Sequence, residues 1–124
     1  MTRTTLVVVP VYGDLESLLR CVDGLLEHLD TAVHRALLVN DCGPDADPIE
    51  RALLERIGDR PGFRYERNDH NLGFVGTCNR AVTELEPGAD GEAVLLLNSD
   101  AVPTAGFLDA VSYTHLTLPT ILRV

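Results

Sequence analysis

Uninterrupted apolar runs at residues 6–9, 36–39 and 93–97 alternate with segments of helical period, and that alternation leaves little choice of fold. Such runs lack the polar-apolar alternation of a half-exposed strand, so they fit strands buried on both faces, as in a parallel sheet covered by helices. The first strand is expected over residues 4–11. After Gly13, Asp14 can cap a helix whose apolar positions are Leu15, Leu18, Leu19, Val22, Leu25, Leu26 and Leu29, steps of three and four that make one face. The second run ends in Asn40 and Asp41. Asp47, Pro48 and Glu50 then supply an N-cap, a first-turn proline and an N3 acid for a second helix, with Ile49, Leu53, Leu54 and Ile57 as its stripe and Gly58 as its stop.

Residues 62–67, GFRYER, alternate apolar and charged side chains and suit a third strand near the sheet edge. From Gly73 a third helix would set Val75, Cys78, Val82 and Leu85 on one face until Pro87-Gly88 stops it. The run at 93–97 is the fourth strand. Strands that alternate with helices of this length connect by right-handed crossovers, so the predicted class is α/β, a Rossmann-like parallel sheet with flanking helices.

Composition narrows the chemistry. The 124 residues allow one domain, and 45% apolar with 23% charged residues matches an ordinary globular protein. No apolar run reaches the length of a transmembrane segment, and the first dozen residues read better as a strand than as a signal peptide, so a cytoplasmic location is expected. Net charge is −9 and every basic residue is Arg, which removes P-loop and Schiff-base chemistry for want of Lys and disfavours nucleic acid as a partner. Cys21, Cys42 and Cys78 are widely spaced and fit reduced thiols.

Strand direction fixes where the polar residues fall. Pro10 to Asp14, Asn40 to Asp45 and Asn98 to Asp100 each follow an apolar strand, so all three clusters meet at the carboxyl edge of the sheet, where ligands bind in open α/β folds. One such end can be a helix cap. Three carboxylate-bearing ends on one edge point to a site for polyols, a metal or both.

These residues carry a recognisable pattern. Val8-Val9-Pro10-Val11-Tyr12-Gly13, Leu38-Val39-Asn40-Asp41, Asn71-Leu72-Gly73-Phe74-Val75-Gly76 with Asn79, and Leu95-Leu96-Leu97-Asn98-Ser99-Asp100 occur in that order and at matching spacing. Over residues 5–111 the chain resembles the N-terminal, donor-binding half of a family 2 glycosyltransferase of the GT-A fold. The resemblance implies a nucleotide-diphosphate sugar as donor, a UDP- or dTDP-sugar, and Mg²⁺ or Mn²⁺ as cofactor. It places Pro10, Val11 and Tyr12 against the base, gives Asp41 the ring N–H of the base to read, and puts Asn71 and Gly73 near the diphosphate or base. Asn98, Ser99 and Asp100 correspond to the family's DxD-type motif, with Asp100 the metal ligand and Asn98 left to hydrogen-bond ribose hydroxyls. Asn40 stands where the family often has a second Asp, so a charge is missing there.

The resemblance further implies transfer with inversion to the hydroxyl of a glycan or lipid-linked acceptor, in polysaccharide or glycoconjugate synthesis, the whole protein working in the cytoplasm or at the inner face of the membrane. The carboxylate base for that step is expected from a segment after the fourth strand, and only Asp109 lies beyond Asp100. A metal-independent Rossmann-like regulatory module and a nucleotidyltransferase are the alternatives. The latter would show a glycine-rich loop with Arg after strand one and a catalytic Lys, and the chain has neither.

The last stretch differs. Residues 111–120, VSYTHLTLPT, match the translated read-through of a transposase sequencing adapter, so residues 111–124 are expected to be a non-native tail behind a domain spanning 1–110. On that expectation the chain holds the donor side of a site whose catalytic base is absent.

Overall fold

The computed structural model describes residues 4–86, 93–105 and 107, and all four strands found there are parallel. The elements run β1 (Thr5–Val11), α1 (Leu15–His28), β2 (Arg35–Asn40), α2 (Ala46–Ile57), β3 (Phe63–Arg67), α3 (Gly73–Arg80), a π-helical turn (Ala81–Leu85) and β4 (Ala93–Leu96). The sheet order is β3-β2-β1-β4, which puts the most apolar strand inside and the charged GFRYER strand at an edge.

Side-chain alternation along the strands splits the core in two. Val7, Val9, Val11, Ala36 and Leu38 cluster with Leu18, Cys21, Val22 and Leu25 of α1 and with Ile49, Leu53 and Ile57 of α2. On the opposite face Leu6, Val8, Leu37, Val39 and Val94 meet Ala81, with Val82 and Leu85 packed against them. A fully buried Val or Leu contributes about 1.5–3 kcal/mol, so the uninterrupted runs supply most of the drive to fold.

Pro10 sits inside β1 without disturbing it. In a parallel strand alternate residues bond to opposite neighbours. Val8 accepts from Leu97 N on the β4 side at 2.9 Å, and Val11 accepts from Asp41 N on the β2 side at 2.8 Å. Pro10 shares the parity of Val8, and the last β1–β4 pair is Val8 with Leu96. Its missing N–H therefore falls past the paired length of β4.

Some local expectations are corrected. Helix α2 starts at Ala46, so Asp45 takes the cap position in a left-handed conformation and Asp47 lies in the first turn, paired with Arg67 of β3 at 2.8 Å. Pro48 remains within the first turn, where its lack of an N–H is harmless. Leu54 is half exposed rather than part of the stripe, and so is Val75 in the first turn of α3. The helical winding widens after Arg80, with Glu86 N bonding Ala81 O at 2.7 Å, and this brings Val82 and Leu85 onto the sheet. The Pro87-Gly88 stop and residues 111–124 lie outside the described residues. Among the described residues no helix is long and apolar enough to cross a membrane.

The cysteines are free thiols. Burial pushes Cys21 up to about 11, helped by the charge of Asp100, and burial pushes Cys78 to about 11 and Tyr65 to about 12. The folded state thus favours their neutral forms, while the unfolded chain ionises the thiols first. Their contribution to stability is full below about pH 9 and declines as pH rises through 11. Urea midpoints measured at about pH 8 and about pH 10 should fall with pH, and an unchanged midpoint would refute the assignment.

Candidate functional site

The carboxyl ends of β1, β2 and β4 open onto one cavity of about 500 Å³. Its lining comprises Pro10, Val11 and Tyr12 after β1, Asp41 after β2, Asn71, Gly73 and Phe74 at the start of α3, and Asn98, Ser99 and Asp100 after β4. The nine residues that the resemblance placed at the donor all line this one cavity, and Phe74 joins them, whereas Asn40 and Asn79 do not.

Each wall has a local cause. At the end of β1, Gly13 and Asp14 both adopt left-handed backbone, at φ 67° and 53°, which turns the chain sharply into α1. Asp14 Oδ1 then accepts from Ser17 N at 3.3 Å as the cap. The turn leaves Tyr12 59% exposed, its ring resting on Gly43, where a Cβ would come within 2.5 Å of the ring. A largely exposed aromatic held over backbone at a cavity is a stacking surface.

Asp41 is only 4% exposed, and its carboxylate is fully engaged. Oδ1 accepts from Asn68 Nδ2 at 2.8 Å and Leu72 N at 2.7 Å, and Oδ2 accepts from Gly73 N at 3.0 Å and Asn71 Nδ2 at 3.1 Å. The backbone of Asp41 is held as well, its N–H by Val11 and its carbonyl by Asn71 Nδ2 at 3.1 Å. The Leu72 and Gly73 amides at the start of α3 are thus bonded to an internal carboxylate. Gly73, at φ 80°, has nothing within 4 Å of where a Cβ would be, so the residue serves both backbone geometry and an open approach.

Asn40 does not reach the cavity lining. Its Nδ2 donates to Ala46 O at 2.9 Å and to Tyr65 Oη at 3.2 Å, and its Oδ1 accepts from Cys42 N at 3.2 Å. An amide both donates and accepts here, which a carboxylate could not do, and this accounts for Asn at that position. Arg80 donates to Asn68 Oδ1 at 2.7 Å and supports the Asp41 network from behind.

The turn after β4 closes through Ala101 N to Asn98 O at 3.0 Å, with Asn98 and Asp100 exposed and Ser99 half-buried. It rests on α1, where Cys21 Sγ lies 3.9 Å from Asn98 O and Gly24 meets Pro103. Among the described residues no group of three or more His, Cys, Asp or Glu could hold a metal ion. With Asp41 engaged, Asp100 is the cavity's available carboxylate. One carboxylate does not make a resident metal site, yet it suits a hard cation that takes its other ligands from phosphate and water.

Two participants were not foreseen. Phe74 follows Gly73 within a helical pattern, so its side chain had no distinguishing signal, and it stands half exposed at the cavity. Asn68, in the polar stretch RNDHN, has no sequence signal to set it apart from its neighbours, yet it is buried and donates to both Asp41 and Thr77.

No curated protein matches the chain significantly in sequence. The sequence model of Glycosyl transferase family 2 matches residues 6–111. Among solved structures, S. aureus TarS 1-349 in complex with UDP-GlcNAc superimposes at a TM-score of 0.67 with 18% identity, covering 89% of this chain and 30% of that one. The mannosyltransferase PcManGT from Pyrobaculum calidifontis, in complex with GDP-Man and Mn²⁺, superimposes at 0.65 with 17% identity, covering 84% of this chain and 30% of that one. The chain therefore spans about three tenths of the length of these solved chains, and at such identities the likeness establishes the fold. With the family match spanning 6–111 of its 124 residues, the chain belongs to glycosyl transferase family 2.

Proposed function

We propose that the cavity holds the nucleoside diphosphate of a nucleotide sugar, a UDP- or dTDP-sugar, and that Asp100 would hold Mg²⁺ or Mn²⁺ beside it. The observation that carries this is the position of Asp100, an exposed carboxylate on the cavity whose other acid, Asp41, is consumed internally. The bound cation would offset charge on the departing diphosphate. Tyr12 offers a ring face to the base, and Asn98 offers its amide to ribose hydroxyls. The proposal has support from the neighbours, whose structures contain UDP-GlcNAc in one case and GDP-Man with Mn²⁺ in the other.

Transfer to an acceptor hydroxyl with inversion needs a base within hydrogen-bond reach of that hydroxyl. Among the described residues on the cavity, Asp41 is engaged within the chain and Asp100 is assigned here to the cation, so neither is offered as that base. Isothermal titration tests the metal role. UDP binding should require Mn²⁺, and Asp100→Ala should weaken it by about tenfold or more. Binding that ignores both the metal and the substitution would overturn the proposal in favour of a metal-independent nucleotide module.

A further inference from the structure

The four bonds to the Asp41 carboxylate are not equally permanent. The donors to Oδ1, Asn68 Nδ2 and Leu72 N, belong to residues off the cavity lining, whereas the donors to Oδ2, Asn71 Nδ2 and Gly73 N, belong to residues on it. Oδ2 is therefore the oxygen on the cavity side. Asn68 is locked, because it is buried, its Nδ2 is shared with Thr77 Oγ1 at 2.9 Å, and its Oδ1 accepts from Arg80 Nη1 at 2.7 Å. Leu72 N and Gly73 N are main chain and cannot turn away without moving the start of α3. Asn71 is different. It is exposed, and its Nδ2 divides between Oδ2 and the Asp41 carbonyl, each at 3.1 Å. An amide NH₂ has two hydrogens, so Asn71 can give up Oδ2, keep the carbonyl and leave the freed hydrogen to water.

We infer that Asn71 is a displaceable cover on Oδ2. With no ligand present its amide occupies that acceptor, and a ligand N–H entering the cavity takes its place while Asn68, Leu72 and Gly73 hold the carboxylate still. The inference rests on the donor-binding proposal for what the ligand is, a nucleotide whose base carries a ring N–H. The exchange strands no buried donor, and the bond given up is open to water, where a hydrogen bond contributes little net stability. The bond gained goes to a charged acceptor already buried and held in position, which is the stronger kind. Asn71 thereby acts on selectivity as a competitor. A base with a hydrogen on its ring nitrogen must evict the amide, and a base with a lone pair there leaves it seated. The cover narrows the preference for the first kind over the second.

Asn71→Ala tests this in the full chain with Mn²⁺, using UDP and CDP, pyrimidine nucleotides of one size of which uracil alone has a hydrogen on N3. Removing the competitor should raise the ratio of UDP to CDP affinity by about three- to tenfold in isothermal titration. An equal change for both nucleotides would overturn the inference and make Asn71 a support of the wall. A fall in the ratio would also overturn it, since Asn71 would then itself read uracil. Amide hydrogen exchange of the ligand-free variant is a check that needs no nucleotide. Leu72 and Gly73 should exchange within about twofold of wild type, because the cover is not what holds them, and faster exchange would overturn the inference. Should the wild-type chain bind neither nucleotide, the donor-binding proposal fails and the ligand named here fails with it. Exchange at Leu72 and Gly73 then still decides whether Asn71 is separable from the three fixed bonds.

Discussion

Asp41→Ala is expected to cost about 3–5 kcal/mol of stability, the largest loss foreseen for any substitution at the cavity. The carboxylate is buried and accepts four hydrogen bonds, two of them from the opening amides of α3. Alanine would leave the Leu72 and Gly73 N–H groups and the buried Asn68 amide without their acceptor. Stranding the buried Asn68 donor costs about 1–3 kcal/mol, and the part-buried Leu72 and Gly73 bonds to the charged carboxylate add to it, with some relief as water enters or Asn71 turns outward. Against a domain stability of about 5–15 kcal/mol the loss is severe. Urea unfolding should show a lower midpoint with an unchanged slope. A midpoint within experimental error of wild type would mean that the four bonds contribute nothing net.

The second large effect is expected from Gly24→Ala, and its sign is the opposite of the usual one. Alanine within a helix ordinarily stabilises by about 1 kcal/mol relative to glycine. Here a Cβ on Gly24 would fall 2.8 Å from both Cδ and the carbonyl oxygen of Pro103 and 3.2 Å from its nitrogen. Contacts that close to backbone cannot be relieved by rotating a side chain, so the segment must move. Overpacking of this type costs about 1–3 kcal/mol. For a domain of this size each kcal/mol lowers Tm by about 4–8 °C. Pro103 follows Asp100 by three residues, so the shift should also disturb the turn that carries Asn98, Ser99 and Asp100. The expected outcome is a lower Tm together with weaker Mn²⁺-supported UDP binding, and a rise in Tm would show that α1 and Pro103 are not in contact.

What the sequence revealed and what it hid divide along a physical line. Features governed by residues close in sequence were legible. The apolar runs became strands, Asp14 became a cap, and parallel direction carried Tyr12, Asp41 and Asp100 to one edge. Contacts between distant residues were not. Asp41 and Asn68 are 27 positions apart, and nothing in the spacing of RNDHN says that its first Asn turns inward to a carboxylate. Val75 followed the helical period faithfully, but a period says which residues share a face, not how far the sheet extends beneath it. The Asn40 difference from the family pattern was visible as a missing charge. Its reason, an amide donating to Ala46 O and Tyr65 Oη while accepting from Cys42 N, needed the fold.

Pro10 deserves its place in the cavity lining for a reason beyond the contact it makes there. In a parallel ladder the residue that would donate to the Leu97 carbonyl is residue 10, since Leu97 N already bonds Val8 O. Proline has no hydrogen to give. The seam between β1 and β4 therefore stops half a rung short, as a zipper stops at a missing tooth. With an ordinary residue at position 10 the two strands could close further and draw Asn98 alongside β1. As it is, the ladder's last bond is the one from Leu97 N to Val8 O, and the residues just past it, Pro10 and Asn98, both face the cavity.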